Sequence, residues 1–136
     1  MGVKLRSPTP ALPAKDVPRA RDFYVDLLGF EAVAGDEGFV LLRRDDATVS
    51  LWGATDESWQ KRTDWERPVC SGAESFIAGT ASCAIEASGI DELYEHCRAN
   101  GIVHPNAHIE DTEWATREFA ILDPDGNLVR FWERRA

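Results

Sequence analysis

Cysteine, basic charge and long apolar runs are all scarce in this chain of 136 residues. Cys70, Cys83 and Cys97 are odd in number and share no close spacing. They make neither a disulfide framework nor a CxxC zinc or redox motif, and they read as reduced thiols, with Cys83 and Cys97 in the core. Fifteen Lys and Arg against 24 Asp and Glu leave a formal net charge of −9. That balance leaves nothing spare for the basic face a nucleic-acid partner needs, and it suits cationic small molecules, which an acidic protein's field concentrates near its clefts. No apolar run approaches membrane-spanning length, and the opening MGVKLRSPTP lacks the apolar stretch of a secretory signal. A cytoplasmic protein with no membrane partner is therefore expected. GxSxG, P-loop and GxGxxG patterns are also missing, which removes the nucleophile elbow and the common phosphate cradles.

What is present is an ordinary globular mix, 43% hydrophobic and 29% charged, sized for one domain over residues 1–136. The chain divides into two similar halves. Asp16 is a good N-cap, Pro18 suits a first helical turn, and Val17, Ala20, Phe23, Tyr24, Leu27 and Leu28 recur at helical spacing until Gly29 stops them. Thr9 to Leu12 read as extended before that helix, and Phe30–Ala34, Gly38–Arg43 and Ala47–Trp52 read as strands after it, with Asp45-Asp46 as a turn. In the second half Ser82–Ala87 reads as a strand. Ile90, Leu93, Tyr94 and Cys97 form a helical stripe, and Arg117–Leu122 and Asn127–Glu133 are strands joined by an Asp123-Pro124-Asp125-Gly126 turn. The expected architecture is α+β: module one about 7–53, a long loop about 54–80, and module two about 81–134. The two βαβββ-type modules would form a curved mixed sheet. The long loop carries Trp59 and Trp65, and ordered loops of that length tend to be functional.

The segments TPALPAKDVPRARDFYVDLLGF, SCAIEASGIDELYEHCRANGI and REFAILDPDGNLVRFWE, with Trp114 just before Arg117-Glu118-Phe119, resemble the vicinal oxygen chelate superfamily. Within it they are most similar to the bleomycin-resistance proteins. Metal-dependent members of that superfamily place His or Glu at four inward-facing strand positions. The resemblance maps these onto Thr9, Ser50, Ser82 and Arg130. Three neutral hydroxyls and a permanently charged guanidinium are poor donors for a divalent ion, so neither metal nor other cofactor is expected. His104 and His108 stand four apart, with Glu110 and Asp111 close behind. However, Pro105 and the turn former Asn106 intervene, so this stretch reads as a solvated loop instead of a zinc helix.

Aromatic residues carry the positive case. If Ser50, Ser82 and Arg130 face a groove as the resemblance implies, alternation along the strands turns Trp52, Glu86 and Trp132 the same way. Flat aromatic walls stack against flat heteroaromatic ligands, and nearby carboxylates hold a cationic tail. Trp52 and Trp132 fit the core of a small domain nearly as well. Phe39, matching an aromatic of the family's groove, fits a core role equally well. Trp59, Trp65 and Trp114 fall in loops, where a ligand or subunit contact accounts best for a large apolar ring.

The resemblance further implies a homodimer that exchanges its N-terminal strand, stiffened here by Pro8, Pro10 and Pro13, with the grooves at the interface. The function it implies is sequestration of a cationic, aromatic glycopeptide of the bleomycin class without catalysis. Two other readings remain open: a metal-independent enzyme with Arg130 binding a small organic acid and Glu86 as base, and a binder of another aromatic metabolite.

Overall fold

The computed structural model describes residues 2–54 and 81–135. The first module runs β1 (Ala11–Ala14), α1 (Val17–Leu28), β2 (Glu31–Gly35), β3 (Phe39–Arg44) and β4 (Ala47–Gly53). The second runs β5 (Ser82–Glu86), α2 (Ile90–Ala99), β6 (Glu110–Asp111), β7 (Thr116–Leu122) and β8 (Leu128–Arg134). Two mixed four-stranded sheets result, ordered β1-β4-β3-β2 and β5-β8-β7-β6. In each, the strand before the helix pairs parallel with the module's last strand, and the remaining pairs are antiparallel. The repeat read from the sequence is thus a repeat of topology, realised as two separate sheets.

Local chemistry sets the element ends. Asp16 Oδ1 accepts the Arg19 amide at 3.1 Å, and Gly29 closes α1 at φ 71° with its amide on the Tyr24 carbonyl. A side chain there would adopt the left-handed region at a cost, which glycine avoids. Asp45, the turn between β3 and β4, is also left-handed at φ 51°. Along α1 the buried residues are Val17, Ala20, Tyr24 and Leu28, a stripe at helical spacing. They pack on Leu12, Ala14, Val40, Leu42, Val49 and Leu51, while Ile90 and Cys97 of α2 join Phe119, Ile121, Val129 and Phe131, all in one continuous core. Each sheet therefore gives one face to a helix.

The turn at 123–126 is more than a turn. Asp123 is buried, and its Oδ1 accepts the amides of Asp125 and Asn127, both at 2.9 Å. Its Oδ2 accepts the Tyr24 hydroxyl of α1 at 3.0 Å and Asn127 Nδ2 at 3.0 Å. Asn127 Nδ2 also donates to the Pro13 carbonyl at 2.8 Å, and Asp125 Oδ1 accepts the Lys15 amide at 3.0 Å. One acidic turn of the second module thereby locks onto β1 and α1 of the first.

Two readings need correction. The stretch after His104 does turn at Pro105-Asn106, with the Asn106 amide on His104 Nδ1 at 2.9 Å. Val103 bridges Ile121 before that turn, and after it the chain returns to the sheet: the Ala107 carbonyl accepts the Ala120 amide at 3.1 Å, and Glu110–Asp111 form β6 against Glu118 and Arg117. Arg117 holds Asp111 of this strand at 3.2 Å and Asp91 of α2 at 2.9 Å, which offsets one of the strand's two negative charges and ties it to the helix. Cys97 is buried, but Cys83 is only half-buried.

Both thiols are nonetheless suppressed. Burial pushes Cys83 and Cys97 up from 9.0 to about 11, with Asp123 adding to the effect at Cys83. Because the folded values are raised, the thiols' stabilising contribution is fully present below pH 9 and is lost as pH rises through about 11. At pH 8 the reactive thiolate fraction falls roughly 100-fold. In a Cys70→Ser background, which removes the cysteine lying outside the described residues, Cys83 and Cys97 should resist a disulfide-exchange reagent at pH 8 until denaturant is added. Rapid labelling of both in the native protein would contradict this.

Among the described residues, no helix is long and apolar enough to cross a membrane.

Candidate functional site

The free face of the second sheet carries an open groove of about 670 Å³. The register explains its chemistry. Glu86 of β5 stands opposite Trp132 of β8, Trp132 opposite Glu118 of β7, and Glu118 opposite Glu110 of β6. One row across the sheet thus reads Glu, Trp, Glu, Glu. Strands lie about 4.8 Å apart, so Glu86 and Glu118 stand on the strands either side of Trp132. The next row places Arg130 between Ala84 and Ala120. Two small neighbours leave room around the guanidinium, which reaches Glu118 Oε1 at 3.4 Å.

Trp132 is half-buried, with the Arg134 guanidinium 6.0 Å from its ring centroid. Trp114 stands at the tip of the β6–β7 hairpin, 77% exposed, at the rim of the same groove. Glu113, Thr112 and Thr116 complete that rim. Carboxylates outnumber cations on this face, and Arg117 and Arg135 hold Asp111 at its edge at 3.2 and 3.8 Å. A flat cation placed here meets aromatic faces and negative charge together, which is the arrangement cation–π attraction requires.

The first sheet offers a different surface. Pro13, Trp52 and Phe39 form one row on the face turned away from α1, with Pro13 buried and the Phe39 and Trp52 rings 4.5 Å apart at 55°. Ala11, Ser50 and Leu41 form the next. This wall is aromatic and aliphatic where the other is acidic.

Of the four positions that the resemblance matches to metal ligands, three make other contacts. Thr9 Oγ1 lies 2.8 Å from Thr48 Oγ1, and Ser50 Oγ donates to the Pro10 carbonyl at 3.2 Å. Ser82 is exposed and Arg130 pairs with Glu118. None supplies a carboxylate or imidazole, so the residues present do not fit a divalent metal. Among the described residues, no group of three His, Cys, Asp or Glu side chains is placed to hold one either.

Of the site residues read from the sequence, Trp114, Arg130 and Trp132 share the groove. Glu86 lies on the same row at its far edge, while Phe39 and Trp52 sit on the other sheet. Trp59 and Trp65 lie outside the described residues. The reading missed Glu118, Thr116, Thr112 and Glu110. The signal for Glu118 was available: alternation in TREFAIL turns Phe119 and Ile121 to the core and Glu118 with Thr116 to the free face.

Known proteins similar to this chain share its fold. The bleomycin resistance protein of Staphylococcus aureus is 50% identical over 125 residues, covering 92% of this chain and 94% of that protein. A Streptomyces verticillus bleomycin-binding protein, solved with copper(II)-bleomycin, is 29% identical with a TM-score of 0.69, covering 96% of this chain and 97% of that one. Lactoylglutathione lyase of Agrobacterium tumefaciens shares the fold at a TM-score of 0.74 and 24% identity, covering 93% and 92% of the two chains. Residues 6–131 match the family model of the Glyoxalase/Bleomycin resistance protein/Dioxygenase superfamily, and the chain belongs to that superfamily.

Proposed function

We propose that this protein binds a bleomycin-class glycopeptide and protects by keeping it out of solution, without a chemical step. The observation that carries the reading is Trp132 between Glu86 and Glu118 on one sheet face. Such a drug joins a flat bithiazole to a cationic tail, and this row offers an aromatic face bordered by negative charge. The half-identical resistance protein and the bleomycin-bound structure support the same ligand class.

A homodimer completes the groove. Residues 2–9 are exposed, with Val3 at 95% and Leu5 at 89%, and Pro8, Pro10 and Pro13 stiffen the approach to β1. Exchange of this arm between two chains would set the Phe39–Trp52 wall of one against the acidic, Trp-bearing floor of the other. Trp59 and Trp65 are assigned to ligand or subunit contact, and the setting is cytoplasmic. The Arg130–Glu118 pair favours an ion pair within the groove over an anion-binding arginine, so catalysis on an organic acid with Glu86 as base is the weaker reading.

Titration of intrinsic Trp fluorescence with metal-free bleomycin tests the proposal. Saturable quenching at about one drug per chain is expected, with a dimer by analytical ultracentrifugation at micromolar concentration. An unchanged spectrum at drug well above protein concentration would remove the ligand, and a monomer would remove the shared groove. Elemental analysis of the purified protein should find no stoichiometric zinc, nickel, iron or manganese, and prior treatment with chelator should leave the titration unchanged. One equivalent of metal, lost together with binding, would restore a metalloenzyme.

A further inference from the structure

The β6–β7 hairpin contains a directional chain of hydrogen bonds between the groove floor and its rim. Glu118 is acceptor-only when ionised, so the Thr116 hydroxyl, 2.8 Å from Oε2, must donate to it. With that proton committed, Thr116 Oγ1 can only accept from Thr112 Oγ1 at 2.6 Å. Thr112 Oγ1 then accepts the Trp114 amide at 3.2 Å. The other carboxylate oxygen of Glu118 takes Arg130 Nη1 at 3.4 Å. Charge at Glu118 therefore fixes the orientation of two hydroxyls and, through them, the backbone of Trp114.

The turn needs such support. Ala115 stands at φ 61°, a region that an L-residue with a Cβ enters only under external constraint. Its carbonyl accepts the Arg135 amide at 2.7 Å, and the Thr112 amide closes the hairpin on the Thr116 carbonyl at 2.7 Å. A strained turn, two threonines and one buried-edge carboxylate thus hold a 77%-exposed indole in one place. We infer that Thr112 and Thr116 are positioning residues which couple cation recognition at Glu118 to the placement of Trp114 as the aromatic rim of the binding site. A ligand cation that replaces Arg130 at Glu118 leaves the chain's polarity intact, so ligand charge and ligand stacking are recognised as one unit. This inference rests on bleomycin binding at the groove for its affinity readout, and has a ligand-free readout of its own.

Thr116→Val keeps the shape and removes the hydroxyl. In the free protein, the Trp114 amide should be protected from hydrogen exchange in the wild type, lose most of that protection in Thr116→Val and in Thr112→Val, and regain it in Thr116→Ser. With bleomycin, Thr116→Val should weaken binding about tenfold, as expected for a lost hydrogen bond to a charged group. The same substitution in a Trp114→Ala background should change affinity less than twofold, because its route to the ligand is gone. Equal exchange of the Trp114 amide in wild type and Thr116→Val overturns the inference whatever the drug titration shows. Full additivity of Thr116→Val and Trp114→Ala, with bleomycin still bound by the wild type, also overturns it while leaving the proposed function standing. Failure of the wild type to bind bleomycin, with the exchange pattern as expected, overturns the proposed ligand and leaves the positioning chain in place.

Discussion

Asp123→Ala is expected to destabilise the fold by roughly 3–5 kcal/mol, the range seen when several buried partners are orphaned together. Four donors converge on this carboxylate: the amides of Asp125 and Asn127, the Tyr24 hydroxyl and Asn127 Nδ2. Alanine would leave Tyr24 and Asn127 inside the core facing a void, and would loosen the turn that carries the Asp125–Lys15 contact to the first module. Denaturant melts read by circular dichroism measure the effect. A midpoint within experimental error of wild type would show that the Asp123 hub contributes nothing to holding the two modules together. Tyr24→Phe removes one donor and its hydroxyl together, so about 1 kcal/mol is expected there.

The same group carries a pH signature. Burial raises the Asp123 carboxyl above its ordinary 3.8, against the opposing pull of its hydrogen bonds from Asn127, Tyr24 and Asp125. A folded value above the unfolded one contributes stability that is fully present below pH 3.8 and is lost as pH rises through the raised value. Burial also lifts the Tyr24 hydroxyl well above its usual range, with the Asp123 charge adding to it, so the donor stays protonated at any pH where the hub is formed. Asp123→Asn should therefore remove this loss of stability on raising the pH above 3.8, leaving the acid limb set by the other carboxylates and if anything steeper, while lowering the whole curve. An amide at this position presents a donor to one side where Asn127 already donates.

How far the sequence led depends on the range of the contact that decides each feature. The ends of α1 were legible because Asp16, Pro18 and Gly29 act on their own neighbours. The Asp45-Asp46 turn was legible for the same reason. The faces of β5 and β8 followed from alternation, which needs no partner. The hub at Asp123 was read only as a turn, because Asp-Pro-Asp-Gly signals a turn whether or not Tyr24 lies 99 residues away waiting to donate. β6 was invisible since two acidic residues have little strand propensity, and the Arg117 that pairs with Asp111 comes from the neighbouring strand. Division of the aromatics between two sheets was equally hidden: parity places Trp52 and Trp132 on free faces, but only pairing shows that Phe39 shares a row with Trp52 and Glu118 with Trp132.

That division makes a sharp test of the shared groove. Trp132→Ala is expected to weaken bleomycin binding by about 2–3 kcal/mol, roughly 30- to 150-fold, as for a central aromatic anchor. Trp132 lies between two carboxylates and under Arg134, so alanine removes the stacking surface and leaves the acidic row without its platform. Trp132→Phe, which keeps a smaller ring, should lose less than tenfold. Because the indole is half-buried, stability should fall less than affinity, and melts at matched concentration will separate the two. Trp52→Ala, on the other sheet, should weaken binding comparably if a groove joins the first sheet of one chain to the second sheet of its partner. Co-expressing Trp52→Ala chains with Trp132→Ala chains then decides the geometry. In the mixed dimer one groove loses both rings and the other keeps both, so half of the sites should regain wild-type affinity. A groove built within one chain allows no such rescue, because every chain in the mixture still lacks one of its two rings.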